Sequence, residues 1–156
     1  MTFEYNPLSY AYPDDESSKE LFLQVPNGTP IAPHLGTVLL IYWVNMVFSD
    51  GEEVWQVVRL DRREDTNDVY KYVYPDMIVV DGQYQRGHYA TYPLGVFSRD
   101  QRETVLECAE DVEYDARSEE EDESSRWMGD LLERMVGEGL VTRGVVDAIR
   151  EGVPLP

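Results

Sequence analysis

The stretch from Thr37 to Phe48, Thr-Val-Leu-Leu-Ile-Tyr-Trp-Val-Asn-Met-Val-Phe, constrains the fold of this chain more than any other. It is dense in β-branched and aromatic residues and apolar at consecutive positions. That is the pattern of a central strand covered on both faces, not of a helix with one apolar stripe. Ser49-Asp50-Gly51 then supplies a tight turn, and Glu53 to Leu60 returns as an antiparallel partner. The run is too short to cross a membrane, because Val38 to Phe48 contains Asn45 and is about half the roughly 20 residues a spanning helix needs.

Further strands are expected on either side. Leu21 to Val25 reads as a first strand, followed by a turn over Pro26-Asn27-Gly28-Thr29-Pro30, while Asp14 to Ser18 is a solvated turn or the start of a short helix. Asp61 to Asp68 is charged and loop-like. Val69 to Tyr74 and Met77 to Val80 are strands separated by Pro75-Asp76. Asp81-Gly82 is a turn, and Gln83 to Tyr92 its return strand, carrying His88.

After Pro93 the apolar period changes from two to about 3.6. Ser98 and Gln101 form a capping box, and Val105, Leu106, Ala109 and Val112 share one helical face with Cys108 beside it. Ser124 or Ser125 caps a second helix with a stripe through Trp127, Met128, Leu131, Leu132, Met135 and Val136, ended by Gly137 and Gly139. Thr142 caps a short last helix. The chain is thus expected to be α+β, an antiparallel sheet of about five strands with C-terminal helices packed on it. Residues 1–36 are expected as an extended segment packing on the core, and 37–156 as one domain with an acidic loop at 113–123.

Charge narrows the classes of partner. Asp and Glu number 31 against 13 Lys and Arg, a net charge of −18 on 156 residues. Phosphate surfaces would repel such a chain, so neither nucleic acid nor an acidic membrane is an expected partner. Ten of the acids lie between Glu107 and Glu123, against the single base Arg117. The ordinary reading of such a run is a solvated face or loop; no Gly-kinked loop of alternating oxygen ligands is present. One cysteine excludes an intramolecular disulfide, and Cys108 reads as a small core residue in a reducing, cytoplasmic compartment. No signal peptide, Walker loop, G-x-G-x-x-G, H-E-x-x-H or G-x-S-x-G motif occurs, and no metal or cofactor is expected.

One order of elements stands out. Tyr42-Trp43 lies on an apolar strand before a hairpin, and much later Ser124-Ser125-Arg126-Trp127-Met128 opens an amphipathic helix. This order resembles the circularly permuted papain-like, lecithin retinol acyltransferase-like fold, and is similar to an uncharacterised fungal domain family of that layout. There a His-Trp pair opens a strand and a Cys sits at the start of a downstream helix. Tyr42 stands at the position of that His and Ser125 at the position of that Cys. A tyrosine is a poor proton acceptor near neutral pH, and a serine gains little from a helix terminus alone, so thiol-type hydrolysis or acyl transfer is not expected.

The resemblance implies a fold that keeps its cleft without that chemistry. Tyr42, His88 and Ser125 are the candidate catalytic residues, and Trp43, Tyr89, Arg126 and Trp127 the candidate ligand contacts. Together they would hold an apolar small molecule, with a non-nucleophilic cyclase or isomerase of a fungal natural-product pathway as one instance. Against this, each aromatic equally serves to fill a core. The alternative function is an acidic interaction or inhibitor protein that engages a basic protein partner.

Overall fold

A computed structural model of the chain describes residues 2–3, 6–26, 39–63, 69–112, 123–153 and 155. Their order is β1 (Thr2–Phe3), α1 (Pro7–Ala11), β2 (Lys19–Pro26), β3 (Leu40–Val47), β4 (Glu52–Val58), β5 (Leu60–Arg63), β6 (Val69–Tyr74), β7 (Met77–Asp81), α2 (Gly82–His88), β8 (Tyr89–Phe97), α3 (Arg99–Asp111), α4 (Glu123–Gly137) and α5 (Arg143–Gly152). The expected α+β architecture is present. Five strands form an antiparallel sheet in the order β7-β4-β3-β2-β8, and the three longer helices follow it in the chain. A smaller sheet, β1-β6-β5, is hydrogen-bonded separately and shares the main core through Leu60 and Tyr72. Among the described residues, no helix is long and apolar enough to cross a membrane.

The hairpin expected at 49–51 is formed, with β3 and β4 in register from Ile41 opposite Val58 to Val47 opposite Glu53. Asn45 is the extra residue of a bulge in that pairing, where the register shifts between Val44 and Met46. β2 is an inner strand paired with both β3 and β8, so the segment ahead of residue 36 contributes to the sheet itself and does not merely pack on it. The turn expected at 26–30 lies outside the described residues beyond Pro26, as does the acidic loop from 113 to 122.

Three expectations are corrected. Asp61 to Arg63 belong to β5 and pair with β6, instead of forming part of a loop. Gln83 to His88 form α2, not a return strand, because the Asp81 carboxylate accepts hydrogen bonds from the Gln83 and Tyr84 backbone N–H groups and caps a helix there. β8 then runs on through Pro93 to Phe97; as an edge strand it tolerates the missing N–H.

Two faces of the sheet have different coverings. On one, Leu21, Leu23, Ile41 and Trp43 join Val105, Cys108 and Ala109 of α3, the Trp127-to-Met135 stripe of α4, and Val146 and Ile149 of α5 in the main core. On the other, Leu40, Tyr42, Trp55 and Val57 form a smaller cluster with Phe22, Val44, Ile78 and Val80 against it. α2 crosses this second face. It joins the two edge strands with only seven residues. Such a helix spans about 10 Å, whereas the edges of a flat five-stranded sheet stand about 19 Å apart. The sheet is therefore curled around the face that α2 crosses.

Candidate functional site

The strand alternation of β3 decides where the sequence-predicted residues go. Ile41 and Trp43 point into the main core and Tyr42 into the smaller cluster. The Tyr42 ring stacks on Trp55 at 3.6 Å between centroids and on Phe22 at 5.3 Å. Burial pushes its pKa up, while the nearby positive charge of Arg86 opposes the rise. Ser125 is the third residue of α4 and buried, so it lies inside the helix and is not its cap. Its neighbour Trp127 stacks on Tyr72 at 5.8 Å within the main core, and Arg126 is half-buried.

The sheet thus stands between the Tyr42 side chain and the helix that carries Ser125, Arg126 and Trp127. The expected pairing of Tyr42 with Ser125, and a cleft shared by Tyr42, Trp43 and Trp127, are not assembled. Adjacent residues of a strand face opposite ways. His88 is likewise moved: it ends α2, exposed, with Nδ1 2.8 Å from the Tyr84 carbonyl and its ring stacked on Tyr84 at 3.9 Å. Tyr89 is half-buried at the start of the edge strand β8.

Two ion-paired seams, neither singled out by the sequence pattern, hold the molecule around these faces. On the curled face, Glu53 of β4 accepts from Trp55 Nε1 at 2.9 Å and from Arg86 Nη2 and Nη1 at 3.0 and 3.3 Å. Burial raises the Glu53 pKa, but the hydrogen bonds from Arg86 and Trp55 outweigh it and leave the carboxyl below its ordinary value. A Cβ at Gly82 would collide with the Glu53 carboxylate, so glycine is what lets α2 approach β4 this closely.

On the other side Arg102 of α3 is 0% exposed. Its guanidinium grips Asp14 through Nε and Nη2, each at 2.9 Å, and donates to the carbonyls of Ser17, Phe97 and Asp15, each at 2.8 Å. Lys19 adds a 2.8 Å bond to Asp14 and a 3.0 Å bond to Asn45. Desolvation pushes the Asp14 pKa up, yet the bonds from Arg102 and Lys19 hold it below its ordinary value.

The remaining paired cations show the same use. Arg59 binds Asp76, Arg99 binds Glu16 and Glu103, and Arg143 and Arg150 both bind Glu133, whose pKa is held down to about 2 by those hydrogen bonds. Asp100, Glu103, Glu107, Glu110 and Asp111 are exposed on the outer surface of α3, and the last turn of that helix carries no basic residue. Cys108, on the inner side of the same turns, has its thiol pKa raised by burial and then by Glu138, with Asp111 and Glu107 adding to it and Arg134 opposing. Glu107, Asp111 and Glu138, with the cation Arg134, thus all act on the thiol at that end of α3.

A cavity of about 240 Å³ also opens beside the Asp14–Arg102 seam, lined by Ser9, Pro13, Asp14, Gln56, Tyr74, Pro75, Met77, Arg99, Glu103 and Leu106. Among the described residues no cluster of His, Cys, Asp and Glu is placed to hold a metal ion. No protein-family model matches this chain, and neither a curated protein sequence nor a solved structure does.

Proposed function

We propose that this protein is an interaction module that engages a positively charged protein surface through the anionic end of α3, in a reducing, cytoplasmic compartment. The observation that carries this reading is where the acids sit. Glu107, Glu110 and Asp111 crowd the C-terminal turns of α3, with Glu138 and the single cation Arg134 nearby, and the last turn of α3 itself carries no basic residue. The helix dipole makes that end negative, so each carboxylate there costs stability instead of adding to it. Folding alone would favour Lys or Arg at these positions. A surface that binds a basic partner gains from the crowding, since long-range attraction speeds encounter and selects partners.

The use of the cations supports the same reading. Lys19, Arg59, Arg86, Arg99, Arg102, Arg143 and Arg150 are each committed to a carboxylate of the same chain. Among the described residues the basic side chains thus act largely as internal fasteners, while Asp100, Glu107 and Asp111 of α3 are exposed. Of the aromatics expected to line a ligand pocket, Tyr42 stacks on Phe22 and Trp55, Trp127 stacks on Tyr72, and Trp43 is buried in the main core.

Titration with a fluorescently labelled lysine-rich peptide tests the proposal. Binding is expected at low ionic strength and is expected to weaken steeply as salt shortens the screening length from about 30 Å at 0.01 M to about 8 Å at 0.15 M. Absence of binding at low salt, or an affinity that salt does not change, would overturn it.

A further inference from the structure

We propose that the cavity between α1, α3 and the Tyr74–Met77 turn binds a small uncharged carbonyl compound, an amide or a ketone, through the side-chain amide of Gln56. Gln56 lies on β4 and is 6% exposed. Its Oε1 accepts a 3.5 Å hydrogen bond from Asn45 Nδ2, and no described group accepts from its Nε2. Asn45 is itself fixed, donating to the Tyr12 carbonyl at 3.3 Å and accepting from Lys19 Nζ at 3.0 Å. The Gln56 amide is therefore held in one orientation with its donor side unspent at the cavity wall. The donor faces the solvent held in the cavity, and a ligand carbonyl is the group that replaces that water while keeping the hydrogen bond.

The rest of the lining sets the ligand's charge and size. Pro13, Pro75, Met77 and Leu106 supply apolar wall. The charged groups are already matched: Asp14 with Lys19 and Arg102, Arg99 with Glu16 and Glu103. An ion entering the cavity meets no unpaired counter-charge to replace its hydration, so a neutral molecule is selected. A volume of about 240 Å³ is the share of about eight water molecules, which suits a single five- or six-membered ring with one exocyclic oxygen.

Two-dimensional amide NMR with δ-valerolactam as probe tests this. Saturable shifts in the millimolar range are expected at the Gln56 side-chain amide and at the backbone of Met77 and Leu106. Gln56→Leu, which keeps the bulk and removes the donor, is expected to weaken binding by about tenfold. Leu106→Trp, which fills the cavity from the half-buried face of α3, is expected to abolish it and covers the case in which Gln56→Leu fails to fold. No saturable shift, or undiminished binding in both variants, would overturn the site. Equal shifts with sodium acetate or guanidinium would overturn the uncharged ligand class.

Discussion

The two buried carboxylate–arginine seams are built from the same pair of groups and do different jobs. In the Asp14–Arg102 seam the arginine is fully buried and satisfies three backbone carbonyls besides the carboxylate, so it joins the chain ahead of β2 to the junction of β8 and α3. In the Glu53–Arg86 seam the carboxylate is buried, while the arginine side chain is 49% exposed and ties a short helix to the curled face. A buried cation with five bonds is an internal part of the fold. A half-exposed one is a clasp. The contrast explains how a chain with net charge −18 uses its few bases: they go inward or onto seams, and the outer surface of α3 keeps its acids.

Arg102→Met separates the two seams most sharply. It leaves Asp14 with Lys19 alone and orphans three carbonyls, so a loss of about 3–5 kcal/mol is expected by denaturant unfolding. Arg86→Met leaves Glu53 with the Trp55 indole as partner, and a smaller loss of about 1–3 kcal/mol is expected. Equal losses would erase the distinction between a core cation and a clasp.

Acid titration reads the carboxylate side of both seams. Asp14 and Glu53 both have folded pKa values below their ordinary values of 3.8 and 4.5. The stability each contributes is therefore fully present above those ordinary values and is lost as pH falls through the lowered folded ones. Asp14→Asn is expected to flatten the acid limb of a stability–pH curve and to leave the curve between pH 6 and 8 parallel to the original, at about the offset of a lost charged hydrogen bond. An acid limb identical to that of the unsubstituted protein would contradict the assignment. Ser98→Ala, which removes one half of the capping box on α3, is expected to cost about 1 kcal/mol, read from the shift in denaturation midpoint. Glu133→Gln is expected to leave that midpoint unchanged, because Glu133, Arg143 and Arg150 are substantially exposed and solvent screens their pairs.

Much of this fold was legible in local chemistry. The apolar run at 37–48 with Ser49-Asp50-Gly51 marks the β3–β4 hairpin, and the Ser98–Gln101 box and Thr142 mark helix starts that the structure bears out. The alternating polarity of Gln83 to Tyr92 suggests a strand over the α2 region, whereas the Asp81 cap decides for a helix. The expected site was the part least available to sequence. Tyr42 and Trp43 are neighbours in the chain yet belong to different cores, since a strand sends successive side chains to opposite faces. Arg102 carried no signal either: on a helix wheel it is one more charged residue, and its burial depends on Asp14, 88 positions away in the chain.

On the reading proposed above, α3 carries acids at the cost of stability in order to bind. One quadruple variant, Glu107→Gln, Glu110→Gln, Asp111→Asn and Glu138→Gln, tests it when stability and peptide affinity are measured on the same sample. A control variant with Glu20→Gln, Glu52→Gln, Asp130→Asn and Glu151→Gln carries the same net charge. The α3 variant is expected to gain stability, by about 0.3–1 kcal/mol for each carboxylate removed next to the helix terminus, and to lose about tenfold or more in affinity for the lysine-rich peptide, while the control changes affinity by about twofold or less. Equal loss of affinity in the two variants, or an α3 variant that binds as well as the unsubstituted protein, would contradict it.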